Sequence, residues 1–229
     1  ESKRFQKLAL TDELTGLYNI RYFKMILKTE CLLAKADSSK NFGIIMADID
    51  HFKQFNDVYG HQLGDFVLQQ IAKVILISVR ASDVVARYGG EEIIILLRGA
   101  VPLEDGLNVA EKIRKNIESH PIRKEDNIYK VTASFGVSCF RPQDDLETVI
   151  KRADSALYKA KQQGRNCVCT IEILPESSLI RQESGCFQLF KHSFGFFFDS
   201  LDGFGWGRGS SGNSYRFNSF KPLFLKLIR

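Results

Sequence analysis

The chain has 229 residues, 44% of them hydrophobic, which is enough to bury one full α/β domain with some length left over. Its net charge of +5 comes from 32 basic and 27 acidic residues spread along the sequence, which excludes the basic stripe typical of proteins that bind a nucleic acid polymer. The sequence shows neither a signal-peptide pattern nor an apolar run of membrane-spanning length, and its five cysteines lack metal-type spacing. We therefore expect a cytoplasmic location, with a membrane anchor in a longer protein left open.

The first ten residues have the pattern of the end of a longer helix, so we expect a linker helix over residues 1–10 and a domain cut from a larger protein. Residues 11–19 are rich in turn formers and are predicted to be a connector. A helix should follow, with Asn19 as its N-cap, and should end at residues 38–41.

Residues 42–50 are predicted to form a buried strand that ends in the acidic sequence Asp-Ile-Asp. A short helix is expected over 51–57, with Lys53 in its first turn, where unpaired N–H groups and the lysine can hold phosphate oxygens. An acidic strand end beside such a helix start suits a magnesium-bound nucleoside triphosphate, because Mg²⁺ takes a few carboxylate ligands plus phosphate oxygens. For Asp50 we favour the simpler interpretation, a cap for the helix.

Residues 60–65 are predicted to break this helix, and a longer helix should run from Asp65 to Val79. A β-hairpin is expected next. Its strands lie at 84–88 and 92–97, and its tight turn is Gly89-Gly90, two residues that readily supply positive φ angles.

This turn presents two adjacent carboxylates, Glu91 and Glu92. They repel each other unless a positive charge lies beside them, and a divalent metal is the obvious candidate. The alternative is a solvated acidic turn. The apolar run at 93–97 favours the metal, because it is typical of a central strand covered by helices on both faces and so places the acids at the end of a core strand.

The remaining pattern predicts a helix over 103–119, strand material over 128–140, a helix over 146–163 closed by Gly164, and a last strand over 166–174. This order predicts an α/β fold with a mixed sheet flanked by helices. Residues 175–229 hold ten of the 18 phenylalanines among glycines and serines, fit neither the helix nor the strand period, and are predicted to be a poorly ordered tail of unknown role.

Six motifs occur in order: DELTGLYN at 12–19, DIDHFKQFND at 48–57, GHQLGD at 60–65, RYGGEEI at 87–93, ASFGVS at 133–138 and ADSALYKAKQQGRN at 153–166. Together they resemble the GGDEF domain of bacterial diguanylate cyclases, over roughly residues 8–174. The resemblance implies a palm-like sheet with helices on both faces, GTP as substrate and cyclic di-GMP as product.

For the metal site, the resemblance implies that Asp48 and Glu91 bind metal and that the carbonyl of Ile49 and the carboxylate of Glu92 complete the metal shells. Two Mg²⁺ ions, or Mn²⁺ as the alternative, would bridge the triphosphate at each active site. Glu91 or Glu92 would also act as the base, and the sequence does not choose between them.

For the nucleotide, the resemblance implies that Asn56 and Asp65 read guanine, since a carboxylate can accept from both N1–H and the 2-amino group of that base. Asp65 has an alternative role as N-cap of the long helix. The implied phosphate contacts are Lys53, Lys161 and Arg165, the last two expected on one helical face. The implied substrate site also includes His51 and Phe52.

Two arginines carry further expectations. Arg87 should steady the polyphosphate during catalysis, with an exposed strand cation as the alternative. Arg80 and Asp83 resemble an RxxD site at which the product inhibits, because their side chains suit the two edges of guanine. The alternative there is a salt bridge between them. Ile93 replaces the phenylalanine of the family motif, an exchange that a core strand should tolerate, and Ile20 stands where an arginine is common.

The reaction implies a homodimer, because each phosphodiester joins two GTP molecules and one domain binds one. An upstream sensory domain is expected in the full-length protein. The rival hypothesis is a catalytically weak regulatory module that binds GTP or cyclic di-GMP. A third hypothesis, a mixed adenine-guanine product, is disfavoured by Asp65.

Overall fold

The computed structural model describes residues 10–99 and 101–171. The predicted linker helix, apart from Leu10, and the predicted tail over 175–229 lie outside the described residues. Among the described residues, no helix combines the length and the apolar character needed to traverse a lipid bilayer.

The helices and strands largely follow the expected order. The helices are α1 Ile20–Ala36, α2 Phe52–Tyr59, α3 His61–Ser78, α4 Leu103–Ser119 and α5 Leu146–Gln162, with a 3₁₀ turn at Ser38–Lys40. The strands are β1 Tyr18–Asn19, β2 Gly43–Ile49, β3 Val84–Gly89, β4 Glu92–Leu97, β5 Ile122–Lys124, β6 Asn127–Tyr129, β7 Ala133–Cys139 and β8 Val168–Thr170.

Six strands form one mixed sheet in the order β1-β3-β4-β2-β7-β8, which confirms the predicted fold class. Strand β2 is antiparallel to both β4 and β7, whereas β1 runs parallel to β3 and β8 parallel to β7. Every residue of β2 and β7 is buried, because helices cover both faces of the sheet. Alternate residues of β2 therefore enter two separate cores, Ile45 with α3 and α4, and Ile44 with α1 and α5.

Helix α5 packs unusually close to the sheet at Gly136 in β7. A Cβ atom at this position would collide with the carbonyl oxygen of Ala153 and the amide nitrogen of Leu157. The absence of a side chain therefore lets the helix backbone approach the strand directly.

Several local predictions are confirmed. The Asn19 side chain caps α1 by accepting from the backbone N–H of Tyr22 at 3.0 Å. Gly164 follows the end of α5 with φ 106°, and the N–H of Arg165 donates to the carbonyl of Ala160. These are the contacts of a glycine-terminated helix.

The break before α3 is shorter than predicted. It consists of Gly60 alone, with φ 84°, and α3 begins at His61. Asp65 therefore lies inside the helix, and its interpretation as an N-cap is wrong. The hairpin turn is also displaced by one residue: Gly89 pairs with Glu92, and only Gly90 of the two glycines has a positive φ, 53°.

The strand material predicted over 128–140 is present but divided, since residues 128–129 belong to β6 and residues 133–139 to β7. Strands β5 and β6 form a separate two-stranded hairpin, turned at Glu125 with φ 53°, and only β7 joins the main sheet. Strand β1, inside the predicted connector, pairs with β3 at the sheet edge. Two residues are too few to show a strand period, so no sequence pattern could have found it.

Candidate active site

The acids of the strand end and of the hairpin converge in the sheet. Asp48, near the end of β2, lies directly opposite Glu92, the first residue of β4. Opposite residues in an antiparallel pair project from the same face, about 5 Å apart. Ile49 ends β2 with its side chain in the core, and Glu91 occupies the turn beside Glu92. The predicted meeting of these two chain segments is confirmed.

This group of acids is short of positive charge. Burial raises the pKa of Asp48, against the hydrogen bond and charge of Lys161, which lower it, and the charges of Glu91 and Asp50 raise it further. Burial and the charge of Asp48 likewise raise the pKa of Glu92. The Lys161 Nζ atom lies 2.8 Å from Asp48 Oδ2. One lysine therefore partly neutralises several carboxylates.

The donor set suits a hard divalent cation. Carboxylate oxygens and a backbone carbonyl are ligands that Mg²⁺ prefers. The raised pKa values of the carboxylates indicate that a bound cation would stabilise their ionised forms. Within the described residues, no three acidic, histidine or cysteine side chains are gathered tightly enough to coordinate an ion as they stand. Lys161 forms an ion pair with Oδ2 of Asp48, so a metal ion at that oxygen would compete with the ammonium group.

The N-terminus of α2 lies two residues beyond the acidic strand end. Its N-cap is His51, in a left-handed conformation with φ 56° and without a side-chain cap. Phe52 is buried, and Lys53 is exposed in the first turn. Because the first N–H groups of α2 receive no side-chain cap, they remain available to phosphate oxygens.

The interpretation of Asp50 as a helix cap is wrong. Its carboxylate instead accepts hydrogen bonds from Thr132 Oγ1 at 2.7 Å, Ser134 Oγ at 2.6 Å and the backbone N–H of Asn166 at 3.0 Å. Asp50 is only 7% exposed. Its hydrogen bonds join it to the sheet and to the segment after α5, and none of them within the described residues involves the start of α2.

Asn56 and Asp65 are brought together where α2 meets α3. The Oδ1 atom of Asn56 is buried and has no hydrogen-bond partner among the described residues. It fills the space that a side chain at Gly64 would occupy, next to the exposed Asp65. A buried acceptor without a donor is unfavourable on its own, and a donor from a ligand would relieve that cost.

The side chain of Arg87 forms an ion pair with Asp12. Its Nη1 atom lies 3.1 Å from Asp12 Oδ2, and its Nε–H donates to the carbonyl of Gly90 at 2.9 Å. The interpretation of Arg87 as an exposed strand cation is wrong, since the side chains of the pair are each 21% exposed. The contact ties the acidic turn to the loop that contains Asp12 and Thr15, and sequence reasoning missed it because the two partners are 75 residues apart.

The two cations at the end of α5 do not share a helical face. Helix α5 ends at Gln162, so Lys161 is in its last turn. Arg165 follows Gly164 in a left-handed conformation with φ 66°. That prediction of one shared face is wrong, because the glycine turns the chain away between them. Arg165 is exposed and makes no ion pair within the part of the chain that the structure describes.

The predicted salt bridge between Arg80 and Asp83, the alternative to a product site, is absent from the described residues. The Asp83 carboxylate accepts from the backbone N–H groups of Arg80 at 2.9 Å and Arg98 at 3.2 Å. The Arg80 side chain is exposed. The carboxylate therefore fixes the backbone of the RxxD loop and leaves the guanidinium accessible.

A cleft of about 400 Å³ opens beside the acids, and it includes residues that the motif analysis left without a role. Asp154 and Tyr158, on consecutive turns of α5, line it together with Glu92 and Lys161. The negative charge of Asp154 adds to the forces that raise the pKa of Glu92. The spacing of four residues on a helix was the available signal.

Comparison with known proteins identifies this architecture. The family model for the diguanylate cyclase GGDEF domain matches residues 9–167. The chain belongs to the GGDEF domain family.

Relatives and solved structures agree with this assignment. Diguanylate cyclase A of Treponema denticola is 39% identical over 165 residues, which are 71% of this chain and 44% of that protein. The response regulator PleD of Caulobacter vibrioides is 39% identical over 166 residues, 71% of this chain and 36% of that protein. The chain thus spans less than half of the length of these curated relatives.

One similar solved structure is the coiled coil and GGDEF domain of DgcB from Caulobacter crescentus in complex with c-di-GMP. It superposes with a TM-score of 0.69 at 32% identity, and the match covers 73% of this chain and 88% of that chain. The active GGEEF domain of a diguanylate cyclase from Vibrio cholerae superposes with a TM-score of 0.62 at 32% identity and covers 68% of this chain and 98% of that one.

Proposed function

We propose that this chain is a diguanylate cyclase domain that condenses two GTP molecules into cyclic di-GMP and releases two pyrophosphates. The observation that carries the proposal is the pairing of Asp48 with Glu92 across β2 and β4, beside Lys161 and the uncapped start of α2. Acids at a strand end beside a phosphate-binding helix start suit a magnesium nucleotide. The relatives named diguanylate cyclase support the same reaction.

Guanine would bind where α2 meets α3. The unpaired Oδ1 of Asn56 and the exposed carboxylate of Asp65 together offer acceptors for the N1–H and 2-amino donors of guanine. Adenine lacks this pair of donors, so it would leave the buried acceptor unsatisfied.

The residues that would hold Mg²⁺ are Asp48, Glu91, Glu92 and, through its carbonyl, Ile49. Bound there, the metal would neutralise charge on the triphosphate and on the departing pyrophosphate. Lys161 would turn from Asp48 to the phosphates. Lys53 and the first N–H groups of α2 would hold the terminal phosphates, with His51 and Phe52 shaping the turn that presents them.

In each of two steps, the 3′-oxygen of one GTP attacks the α-phosphorus of the other. The new P–O bond forms as the bond to the β-phosphate breaks, and pyrophosphate leaves with the electron pair. Glu91 or Glu92 takes the proton of the hydroxyl as the general base. Arg87 holds the acidic turn through its bonds to Asp12 and Gly90.

Two such domains must face each other, so we place the activity in a homodimer. The accessible Arg80, on a loop fixed by Asp83, suits product inhibition by cyclic di-GMP. The full-length protein would be cytoplasmic or membrane-anchored. Its upstream sensory domain would control dimerisation of the two cyclase domains.

One assay tests the proposal. The protein is incubated with GTP and Mg²⁺, with and without ATP, and the nucleotides are separated and identified by mass. We expect cyclic di-GMP and pyrophosphate in both reactions. Intact GTP at concentrations that maintain the dimer would favour the regulatory module, and a mixed adenine-guanine product would refute strict guanine recognition.

A further inference from the structure

Asp50 is a buried acid outside the proposed metal ligands. Its two carboxylate oxygens accept from Thr132 Oγ1, Ser134 Oγ and the N–H of Asn166 at 2.6–3.0 Å. Hydrogen bonds to an ionised carboxylate are stronger than those between neutral groups. Three of them give Asp50 one fixed orientation and join the end of β2 to the segment that follows α5.

Asn166 is fixed at each of its polar side-chain atoms as well as its N–H group. Its Oδ1 accepts from Arg114 Nη1 at 2.8 Å, and its Nδ2 donates to Glu118 Oε1 at 2.8 Å. Helix α4 therefore holds the side chain of Asn166, while Asp50 holds its backbone.

The backbone of this segment adopts a conformation that needs support. Gly164, Arg165 and Asn166 have consecutive φ angles of 106°, 66° and 45°. Left-handed backbone is uncommon outside glycine and persists where the surroundings impose it. The N–H of Arg165 donates to the carbonyl of Ala160 at 3.1 Å, and the contacts on Asn166 restrain the chain on the other side of Arg165.

The end of β2 holds this region at two points. Asp48 binds Lys161 on the last turn of α5, and Asp50 binds Asn166 five residues further along. When Asp48 exchanges Lys161 for another ligand, the contact through Asp50 remains. Arg165 then keeps its position during the exchange.

We propose that Asp50 is a positioning residue that, acting through Asn166, fixes Arg165 where its guanidinium contacts the triphosphate; this inference rests on the proposed function. Arg165 is exposed and has no ion-pair partner in the described ranges, so the backbone conformation sets the point from which its side chain projects. The side-chain hydrogen bonds of Asp50 are all made within the protein, so its role is to act through Asn166 and not on the substrate.

A double-mutant cycle between Asp50→Ala and Arg165→Ala tests the proposal. The measurements are the Kd for guanosine 5′-[α,β-methylene]triphosphate with Mg²⁺, and KM and kcat for GTP. Each single variant should bind the analogue about tenfold more weakly, which is the effect of one misplaced charge-assisted hydrogen bond. The double variant should bind the analogue no more weakly than Arg165→Ala does. KM should rise while kcat stays within about threefold. Additive losses of about a hundredfold would overturn the positioning role.

Conservative and matched variants separate positioning from stability. Asp50→Asn should restore binding to within about threefold of the wild type. Its amide oxygen can keep the bonds from Thr132 and the N–H of Asn166, while its amide nitrogen donates to Ser134, whose hydroxyl reverses. Asp144→Ala is the control: Asp144 is 2% exposed and binds Arg152 at 2.7 Å, at the opposite end of α5. It should lower stability without coupling to Arg165→Ala, and coupling there would overturn the proposal.

If Asp50→Ala does not fold, Ser134→Ala replaces it in the cycle. Alanine removes one of the three hydrogen bonds that orient Asp50 and leaves Asn166 unchanged. It should weaken binding about threefold and non-additively with Arg165→Ala; an additive loss would overturn the proposal.

The same experiment separates this inference from the proposed function. A wild-type chain that binds the analogue but forms no cyclic dinucleotide would overturn the cyclase assignment, while the binding cycle would still decide the role of Asp50. A wild-type chain that does not bind the analogue would overturn both.

Discussion

The Nζ atom of Lys161 lies 2.8 Å from Oδ2 of Asp48. A cation from the last turn of α5 therefore forms an ion pair with an acid that is expected to bind metal. The pair is partly shielded, with side-chain exposures of 32% and 9%. On the proposed roles of Asp48 and Lys161, metal binding would therefore favour release of Lys161 toward phosphate.

Lys161→Met should change two affinities in opposite directions. Removing the ammonium frees Asp48, so Mn²⁺ alone should bind about fivefold more tightly, corresponding to an ion pair of about 1 kcal/mol. GTP should bind about tenfold more weakly, because a phosphate contact is lost. Titration followed by electron paramagnetic resonance gives the first value and calorimetry the second. Lys159→Met, on the same helix, is the control and should change neither; weaker Mn²⁺ binding by Lys161→Met would contradict the linkage.

Glu92→Gln should stabilise the metal-free protein while abolishing its activity. The folded-state pKa of Glu92 is raised, so the stability it contributes is fully present below its ordinary value of 4.5 and is lost as the pH rises through the folded pKa. At pH 7 in EDTA the neutral glutamine removes this repulsion, and Tm should rise by about 2 °C. Calorimetric scans measure the shift. The exposed Glu125→Gln should leave Tm unchanged, and a lower Tm for Glu92→Gln would show that the acids do not repel each other.

Asp12→Asn should lower stability in a pH-dependent way. Burial raises the pKa of Asp12, but hydrogen bonds from Thr15 and the charge of Arg87 outweigh it and leave the pKa below its ordinary value of 3.8. The stabilisation is thus present above pH 3.8 and is lost as the pH falls through the folded pKa. Urea unfolding should show a loss of about 1 kcal/mol at pH 7 and a much smaller one near pH 2.5. Asp126→Asn, at an exposed turn, serves as the comparison, and an equal loss at both pH values would argue against the ion pair.

Gly64→Ala should remove guanine recognition without unfolding the domain. The added methyl group would collide with Asn56 Oδ1, the end of a side chain that can rotate away. Alanine gains about 1 kcal/mol of helix propensity, so the free energy of unfolding should change little, while GTP affinity falls about tenfold or more. Calorimetry and urea unfolding separate the two effects. By contrast, Gly136→Ala meets backbone atoms and should destabilise the fold; intact GTP binding by Gly64→Ala would remove Asn56 from the site.

The isolated chain should turn over slowly, at a rate per protein that increases with protein concentration. The reason is that each phosphodiester joins GTP molecules held by two domains. Product formation measured over a hundredfold range of concentration tests this, with light scattering to record the dimer. A rate per protein that stays constant across that range would contradict catalysis between two copies.

Local patterns predicted the scaffold well. The apolar runs that became β2 and β4, the Asn19 cap and the Gly164 terminus are determined by neighbouring residues, and the structure confirms all of them. The convergence of Asp48 with Glu92 also followed, because both acids stand at ends of strands that had to share one core.

Distant partners account for the main errors. The partners of Asp50 lie 82, 84 and 116 residues away, so the sequence around it showed only the competing local role of a cap. Arg87 likewise binds Asp12, which lies 75 residues away in the sequence, so no local pattern could predict the contact. The left-handed conformation of Arg165 depends on contacts that the helical spacing from Lys161 does not encode.

The close approach of α5 to β7 at Gly136 has a kinetic consequence. Because strand backbone and helix backbone meet without an intervening side chain, sliding of α5 along the sheet would encounter immediate steric resistance. If Lys161 exchanges Asp48 for phosphate, as proposed, the motion would then be rotation about its side-chain bonds and not a shift of the helix. Loading of the nucleotide therefore need not wait for a slow rearrangement of this helix.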